Sequence, residues 1–367
     1  MAVELNWRRG RCKTRTLTGH TDGVMCLQFH EALSHPSFPV LISGSYDRTV
    51  RVWNMDTGEQ LHCLMGHHSH VRALQFDEVK LITGSMDRTL KVWDWRKGHC
   101  IRTLTGHSEG VVCLNYDSNV LASGSVDSTV RVWNLRTGGS FVLRGHTDWV
   151  NSVQLWDSKP NISRGPEDSS FFGVSGPTPP LNATKCCYQI DPGKMLFSAS
   201  DDATIKLWDL NTRTCVRQFV GHMGQVQSIK LIYSEELDTK DSNSPPASPS
   251  NSSPTPPGEN EDGLIPKCKK PMLVSGGLDN TVKLWDIETG EATRTYFGHL
   301  EGVWAVATDK MRLVSGSHDR TIKVLHSLYF MHYFLSLNVS TGLVKRFRKM
   351  PRNSYRASSS CQLSCSR

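Results

Sequence analysis

Histidine, serine or threonine, and aspartate recur together at regular spacing along the chain. In one segment His67 precedes Thr83 or Ser85, and Asp87 and Trp93 follow. Such a trio could perform nucleophilic catalysis, because a histidine can activate a hydroxyl group while an aspartate orients the histidine. Catalysis needs one exposed constellation, whereas this set recurs in segment after segment. We therefore interpret it as a buried hydrogen-bond network in which the aspartate fixes the histidine tautomer and the indole N–H finds an acceptor.

Six segments carry this pattern. Their predicted network residues are His20, Asp47 and Trp53; His67, Asp87 and Trp93; His107, Asp127 and Trp133; His146, Asp202 and Trp208; His222, Asp279 and Trp285; and His299 and Asp319. In the sixth segment Leu325 stands where the tryptophan is expected, and this loss is predicted to weaken the network. The sequence therefore predicts a scaffold, with no catalytic residue and no enzyme activity.

The densest histidine cluster does not have the composition of a metal site. It consists of His67, His68 and His70, of which His67 already belongs to a repeated network. No cysteine or carboxylate lies at ligand spacing nearby, whereas zinc sites combine such ligands. The sequence predicts neither a metal nor another cofactor.

The elements that position these residues are predicted to be strands. Gly-His opens each unit, Trp-Asp or Trp-Asn usually closes it, and Trp53, Trp93 and Trp133 are 40 residues apart. Alternating apolar residues between these markers predict three strands, and the segment after each tryptophan predicts a fourth. Repeats of this length and signature are typical of a β-propeller with one four-stranded blade per repeat. The chain resembles the WD-repeat family, which implies an all-β propeller of seven blades; six are recognisable here and the last is incomplete.

The chain divides into three predicted parts. Residues 1–10 are the end of a linker to a missing N-terminal region, residues 11–323 form the propeller, and residues 324–367 are a divergent basic tail. Residues 11–18 have the pattern of a fourth strand with no preceding strands of its own. We expect them to pair with the last blade and close the ring. The tail contains no acid, which leads to the hypothesis that it derives from an unspliced intron or a shifted reading frame.

Two long insertions interrupt the propeller, at about 157–192 and 234–271. Both fall between the first and second strands of a unit and are rich in Ser, Pro, Gly and Asn, so we expect them to be disordered. A shorter insertion lies at about 30–39, in the equivalent place. The second long insertion contains four Ser-Pro or Thr-Pro steps, which are candidate kinase sites or the ordinary composition of a solvated linker.

The net charge of +7 is concentrated in the tail, where seven basic residues stand without an acid. The rest of the chain therefore has 42 − 7 = 35 basic residues against 35 acidic ones. A basic footprint for nucleic acid is absent, and we predict no direct nucleic-acid partner. The longest apolar run, Val324 to Leu337, is too short for a membrane span. With weak import signals at 267–270 and 345–349, we expect a soluble protein of the nucleus and cytoplasm that does not bind membranes.

The eleven cysteines favour a reducing compartment. Cys26 and Cys113 occupy the same place in the first strand of their units, and Cys100 and Cys215 the same place in the fourth. This recurrence is typical of small buried thiols and not of a disulfide framework.

Positions at which the repeats differ are the candidates for recognition. Two positions per blade are predicted to surround the axis on one face, namely the second residue of the first strand and the residue before the repeated aspartate. The predicted partner-binding residues there are Met25, Tyr46, Arg72, Met86, Asn151, Asp201, Gln227, Trp304 and His318. Around them lie Asp22, Glu109, Asp148, Trp149 and Glu301. Aromatic residues and methionine beside single charges are typical of a protein-binding hot spot, although some of them could simply plug the channel.

Particular sequence segments within the repeats indicate a narrower family. The segments NWRRGRC, GHTDGVMCLQF and LITGSMDRTLKVWDWR resemble the fungal F-box/WD-repeat sulfur controllers. The resemblance covers residues 6 to about 324. It implies a non-enzymatic substrate receptor of an SCF-type ubiquitin ligase, which recruits the degron of a bZIP transcription factor and so regulates sulfur metabolism. Ligase docking requires an F-box, which the residues before Asn6 are too few to form, so the SCF core is expected as a partner only with an F-box upstream.

The candidate face differs from that of F-box propellers that bind multiply phosphorylated degrons. Those propellers present several arginines, because a guanidinium binds phosphate with two hydrogen bonds. Here Arg72 and His318 are the candidate cations and several acids surround them. We therefore predict a protein or peptide partner with apolar and basic character. The alternative is a general WD-repeat scaffold without a ubiquitin link.

Overall fold

Short alternating runs such as VRALQF and TLKVWD form antiparallel strands that are joined by tight turns. The computed structural model describes residues 14–31, 33–158, 190, 193–233, 271–309 and 312–326. These residues contain 23 strands and no helix. The strands form six antiparallel sheets, each of which follows chain order from its first strand to its last. The fold class predicted from the repeats, an all-β propeller, is confirmed, and within the described residues the last sheet has three strands.

The six sheets are numbered in chain order, and their strands have the following bounds. Sheet 1 holds β1 (Val24–His30), β2 (Val40–Ser45), β3 (Val50–Asn54) and β4 (Gln60–Leu64). Sheet 2 holds β5 (Val71–Phe76), β6 (Leu81–Ser85), β7 (Thr89–Asp94) and β8 (His99–Thr105). Sheet 3 holds β9 (Val111–Asp117), β10 (Val120–Ser125), β11 (Val130–Asn134) and β12 (Ser140–Leu143).

The remaining three sheets repeat the same order. Sheet 4 holds β13 (Val150–Asp157), β14 (Lys194–Ser200), β15 (Thr204–Asp209) and β16 (Thr214–Val220). Sheet 5 holds β17 (Val226–Tyr233), β18 (Pro271–Gly277), β19 (Val282–Asp286) and β20 (Ala292–Tyr296). Sheet 6 holds β21 (Val303–Thr308), β22 (Arg312–Ser317) and β23 (Ile322–His326).

The turn between the second and third strands has one conformation in every sheet. The residue after the repeated aspartate adopts a positive φ, for example 71° at Arg88 and 67° at Asn280. The aspartate then accepts a hydrogen bond from the backbone N–H two residues on, as Asp87 does from Thr89 at 3.0 Å. An aspartate at this place forms such a side-chain turn readily, so the sequence pattern Asp-x-Thr determines the turn. One end of every sheet therefore carries this turn and the start of the first strand.

The core lies between consecutive sheets. A glycine in the second strand of one sheet faces a valine at the start of the next sheet. A Cβ built on Gly84 would lie 2.8 Å from Val111 Cγ1, and one built on Gly276 would lie 2.7 Å from Val303 Cγ1. Both valines are fully buried. Because glycine has no side chain, the second strand of one sheet can approach the first strand of the next sheet closely, and the sheets pack around the axis.

Amide side chains also join the first strands of neighbouring sheets. Gln75 Nε2 donates to the carbonyl of Tyr116 at 3.0 Å, while Gln75 Oε1 accepts from the Tyr116 N–H at 2.8 Å. Gln28 makes the same two bonds to Phe76, at 3.2 and 2.7 Å. These bonds satisfy backbone groups that no neighbouring strand of the same sheet can reach.

The strand ends bracket the positions of the insertions. β13 ends at Asp157 and β14 begins at Lys194, while β17 ends at Tyr233 and β18 begins at Pro271. The predicted disorder and the candidate phosphorylation sites of these insertions lie outside the described residues. Lys194 is nearly fully buried and pairs with Asp157 at 3.0 Å and also with Asp117. This ion pair fixes the last residue of β13 to the first residue of β14.

Two boundary predictions need correction. β23 extends to His326, so the first three residues of the predicted 324–367 tail belong to a strand. The described part of residues 11–18, which begins at Thr14, forms no strand, and the described residues give sheet 6 three strands. The predicted pairing of this segment with the last blade is therefore wrong for the described residues. Within those residues, no helix is long and apolar enough to cross a membrane.

Candidate partner-binding face

The repeated polar residues form one hydrogen-bond network per sheet, as the sequence predicts. In sheet 2, His67 Nδ1 lies 2.8 Å from Asp87 Oδ2 and His67 Nε2 lies 2.7 Å from Thr83 Oγ1. The indole of Trp93 donates to the same hydroxyl at 2.8 Å. Thr83, and not Ser85, is therefore the hydroxyl member. The Thr83 hydroxyl donates to His67 Nε2, and His67 Nδ1–H donates to Asp87, which fixes the tautomer.

The other sheets repeat these distances closely. The histidine Nδ1 to aspartate Oδ2 distance is 2.7 Å at His20, 2.9 Å at His107, 2.7 Å at His146, 2.7 Å at His222 and 3.0 Å at His299. The indoles of Trp53, Trp133, Trp208 and Trp285 each donate to the serine hydroxyl at 2.7–3.0 Å. Sheet 6 has Leu325 instead, yet His299 keeps its bond to Ser315 at 2.8 Å. The geometry of the sixth network survives the loss of the indole.

The burial and the charge of these networks indicate that their role is structural. The His67 and Asp87 side chains are only 1% and 7% exposed and Thr83 is fully buried, so a substrate could not reach the Thr83 hydroxyl. Burial alone would raise the pKa of Asp87, but the hydrogen bonds it accepts from His67 and Thr89 hold that pKa well below its usual range. Asp47, Asp127, Asp202 and Asp279 have lowered pKa values for the same reasons. The aspartates therefore remain ionised and saturated with donors.

The residues before the repeated aspartates are held by a common backbone bond. Their N–H groups donate to a carbonyl of the loop that precedes the first strand, as Met86 N does to His70 O at 3.0 Å. Asp201 N donates to Trp149 O at 2.9 Å, and His318 N donates to Gly302 O at 3.0 Å. The second strand and the start of the first strand therefore meet at one end of each sheet. We call this end of the sheets the partner face.

Two of the predicted binding residues pack against the neighbouring loop. The Tyr46 ring lies 4.5 Å from the His70 ring, centroid to centroid. A Cβ built on Gly110 would lie 2.5 Å from Met86 Sδ. Tyr46 and Met86 are half-buried, so part of each side chain covers the next repeat and part remains available. His70, a member of the histidine cluster at 67–70, is part of this packing.

Asp201 is the centre of a cluster that occurs once among the described residues of the partner face. Asn151 Nδ2 donates to Asp201 Oδ1 at 2.5 Å, and Gln227 Nε2 donates to the same oxygen at 2.9 Å. Asn151 Nδ2 also reaches the carbonyl of Val226 at 3.2 Å. Within the described residues, Asp201 Oδ2 has no hydrogen-bond partner. Three predicted binding residues are thus brought together, and the cluster leaves one carboxylate oxygen available.

The surroundings of Asp201 act on the pKa of its carboxyl group in opposite directions. Burial raises the pKa of this carboxyl, and the nearby carboxylate of Asp148 raises it further, while the bonds from Asn151 and Gln227 oppose the change. Trp149, next to Asp148, is 40% exposed. A carboxylate that is poorly solvated beside a second one attracts a cation, and the exposed indole can cover the stem of a lysine or arginine.

The remaining predicted residues are distributed around the partner face. Trp304 is 50% exposed, and His318 Nδ1 lies 2.5 Å from Glu301 Oε2 at the surface. Met25 and Arg72 are half-buried in β1 and β5. Among the described residues, no hydrogen bond or ion pair joins these four residues to the Asp201 cluster. The candidate cation His318 therefore already has the carboxylate of Glu301, from the loop that precedes β21, beside it.

The described thiols divide into two groups. Burial raises the pKa of Cys26 and Cys113 to about 12, so both stay protonated. Cys100 and Cys215 are exposed, and the prediction that they are buried is wrong because fourth strands face solvent. Among the described residues no group of three or more His, Cys, Asp or Glu could hold a metal ion.

Comparison with known proteins identifies the family to which these repeats belong. The family model described as "WD domain, G-beta repeat" matches residues 11–54, 58–94, 98–134, 183–209, 266–286 and 290–325. The chain is 46% identical over 328 residues to a relative from Saccharomyces cerevisiae that is named as an F-box protein. This match covers 86% of the chain and 45% of the relative.

Two further fungal relatives have names that refer to a ubiquitin ligase. Both are described as "Probable E3 ubiquitin ligase complex SCF subunit sconB". The protein of Talaromyces stipitatus is 46% identical over 326 residues, which are 86% of the chain and 43% of the relative. The protein of Emericella nidulans is 44% identical over 335 residues, which are 85% of the chain and 43% of the relative. The chain thus spans less than half the length of these relatives.

Proposed function

The chain belongs to the WD domain, G-beta repeat family, and we propose that it is the substrate-recognition propeller of an SCF-type E3 ubiquitin ligase. The role is non-enzymatic: the propeller binds a protein substrate, and other subunits transfer the ubiquitin. This proposal rests on the names of the relatives, which describe an F-box protein and an SCF subunit. The non-enzymatic role also rests on burial, because the hydroxyl, imidazole and carboxylate trios are buried in every sheet.

The observation that carries the binding role is the Asp201 cluster. Every repeated aspartate is saturated with donors. In Asp201, by contrast, Oδ1 accepts from the amides of Asn151 and Gln227, and Oδ2 is available. Trp149 and Trp304 expose 40% and 50% of their surface on the same face. Exposed indoles with a poorly solvated carboxylate fit a peptide with apolar side chains and at least one lysine or arginine.

We further propose that the substrate is a bZIP transcription factor that controls sulfur metabolism, bound through a degron with this apolar and basic character. The resemblance of the repeats to the sulfur controllers supports this choice. Of the nine predicted binding residues only Arg72 is an arginine, which favours a segment that is not multiply phosphorylated. A substrate of this kind implies a protein of the nucleus and cytoplasm, where the factor is made and acts.

Affinity purification of the protein from its native cells tests both parts of the proposal. Cullin-type ligase subunits and the bZIP factor are expected to co-purify. An array of overlapping peptides from that factor then identifies the bound segment, which is expected to contain a basic residue. Recovery of other partners without ligase subunits would instead support a general WD-repeat scaffold.

Two variants separate substrate binding from ligase assembly. Asp201→Asn and Trp304→Ala are expected to lose the transcription factor while they retain the ligase subunits. Val216→Ala serves as the matched control, because Val216 is a 54% exposed residue of β16, the fourth strand of sheet 4. Phosphopeptides that bind best, through residues other than Arg72, would overturn the predicted chemistry of the degron.

A further inference from the structure

The loops that lead into sheets 5 and 6 carry apolar residues where the other loops are polar. In the first four loops the residue after the network histidine is Thr21, His68, Ser108 or Thr147. In the last two loops it is Met223 or Leu300, and these side chains are 94% and 83% exposed. Sheet 5 has all four of its strands, so a missing strand does not explain the exposure of Met223. Single exposed apolar residues are common, and what matters is whether these two lie together.

The turn between the second and third strands of sheet 5 brings Met223 and Leu300 together. The Met223 N–H donates to Asp279 Oδ2 at 2.9 Å. From the next residue of the turn, Asn280 Nδ2 donates to the Leu300 carbonyl at 3.1 Å. The Cα atoms of consecutive residues such as Asp279 and Asn280 are about 3.8 Å apart. Met223 and Leu300 therefore flank one turn, on the side of sheet 6 that packs against sheet 5.

Leu278 lies between the same two loops. It precedes the repeated aspartate of sheet 5 and is half-buried, and its N–H donates to the Gln225 carbonyl at 2.8 Å. A Cβ built on Gly302 would lie 2.5 Å from Leu278 Cδ2, and one built on Gly224 would lie 3.2 Å from the Leu278 carbonyl carbon. Both loops thus approach this residue closely. We call Met223, Leu278 and Leu300 the apolar strip of the partner face.

The apolar strip begins next to the Asp201 cluster. Gln227, whose Nε2 donates to Asp201 Oδ1 at 2.9 Å, follows Met223 by four residues. The reach of the chain limits the distance between their Cα atoms to at most about 14 Å. A peptide in extended conformation covers this distance with about four residues. A single segment can therefore contact the carboxylate of Asp201 and the apolar strip at the same time.

We propose that the apolar strip binds an apolar side chain of the same substrate segment whose basic residue pairs with Asp201, about four positions away in the segment. This inference rests on the proposed substrate-recognition function and adds a spacing to the degron. The carboxylates of Asp148 and Asp201 select a cation at one end and so set the register of the segment. The strip then supplies apolar contact area, and the flexible side chain of Met223 adapts to the shape of its partner.

Selection of random dodecapeptides displayed on phage, with the full chain as the target, tests this spacing. The unmodified protein should select peptides in which Leu, Ile, Met or Phe stands about four positions from Lys or Arg. The double variant Met223→Thr, Leu300→Thr carries the residue type of the other loops, and it should keep the basic preference and lose the apolar one. Asp201→Asn should do the reverse. Val216→Thr, at a 54% exposed position of β16 outside the strip, should select like the unmodified protein.

The affinity for one selected peptide gives the size of the effect. The double variant should bind it about tenfold more weakly, because apolar contact area is lost, and should unfold at the same temperature, because both side chains are exposed. An unchanged apolar preference in the double variant, as expected if a second copy or another segment of this chain covers the strip, would overturn the proposal. Basic and apolar residues without a fixed spacing would do so as well.

The ligase role fails or holds by a different observation. Peptides selected with the expected spacing by a protein that does not co-purify with ligase subunits would refute the ligase role and leave the apolar strip supported. Co-purification of ligase subunits, together with an apolar preference that does not depend on Met223 and Leu300, would support the ligase role and refute the strip. An unmodified chain that selects no peptide would overturn both the strip and the peptide-binding face.

Discussion

Asp201 and Asp202 are adjacent in the chain and have opposite environments. Asp202 accepts hydrogen bonds from His146, Thr147 and Thr204. Although burial opposes them, these donors hold its pKa below the usual range. Asp201 accepts amide donors at one oxygen only, and burial with the neighbouring Asp148 raises its pKa.

The difference shows how one repeat combines a scaffold with a recognition element. The environment of Asp202 recurs in all six sheets, because each needs the same turn and the same histidine tautomer. The environment of Asp201 depends on Asn151 and Gln227, which come from two neighbouring sheets and have no such equivalents among the described residues. A carboxylate that is saturated by its own repeat stabilises the fold. One that is left partly unsatisfied by its neighbours is available to a partner.

The largest expected effect is on stability and comes from a substitution of the structural aspartate, Asp202. Asp202→Asn removes the charge that accepts from His146 and the backbone, so it should lower the free energy of unfolding by about 2 kcal/mol. Asp201→Asn should change it by less than about 0.5 kcal/mol, as is usual for a substitution that breaks no saturated network. Urea denaturation followed by tryptophan fluorescence measures both. Equal losses in the two variants would remove the distinction.

Binding should show the reverse order. Asp201→Asn removes the charge that faces the basic residue of the peptide, so the affinity for the array-selected peptide should fall about tenfold, or about 1.4 kcal/mol. Asp202→Asn should retain most of the affinity at a temperature where it is folded. Fluorescence polarisation with the labelled peptide measures these values. An unchanged affinity in Asp201→Asn would show that the peptide binds elsewhere.

A smaller effect is expected from the amide donors. Gln227→Ala removes one of the two groups that orient Asp201, so the carboxylate keeps its charge but loses part of its fixed position. The affinity should fall about threefold, which is under about 1 kcal/mol, with little change in stability. Gln227→Glu is a stronger test of the cluster, because it replaces a donor with a second acid and should lower the affinity more. A stronger effect of Gln227→Ala than of Asp201→Asn would contradict the proposed roles.

The sequence alone identifies the scaffold because its parts repeat. The position of His67, the Asp-x-Thr turn and the indole of Trp93 all follow from spacing, and their hydrogen bonds agree with that prediction. The Asp201 cluster was predicted only as a set of separate positions. Its hydrogen bonds join residues 50 and 26 positions apart, and they depend on how neighbouring sheets pack and on side-chain rotamers. No local pattern encodes such a contact.

The boundaries of the propeller show the same limit. The repeat pattern predicts that residues 11–18 are a fourth strand of the last blade, whereas the described part of this segment forms no strand. The structure places Arg15 against the turn at 55–58. Val24, which begins β1, is 50% exposed. Likewise, the recurrence of Cys100 and Cys215 predicts a shared position without predicting that the position faces solvent. Periodicity determines which residues are equivalent, while exposure depends on what covers them.

One pH titration, with stability and binding measured on the same samples, tests the account most directly. The pKa of Asp202 and its equivalents is lowered, so their stabilisation is complete above about pH 4 and is lost as the pH falls further. The pKa of Asp201 is raised, so its charge is lost first, at a pH above that range. The account predicts that peptide affinity falls while the free energy of unfolding is still nearly unchanged, and that Asp201→Asn abolishes this early loss. Affinity and stability that fall together at one pH, in both proteins, would contradict it.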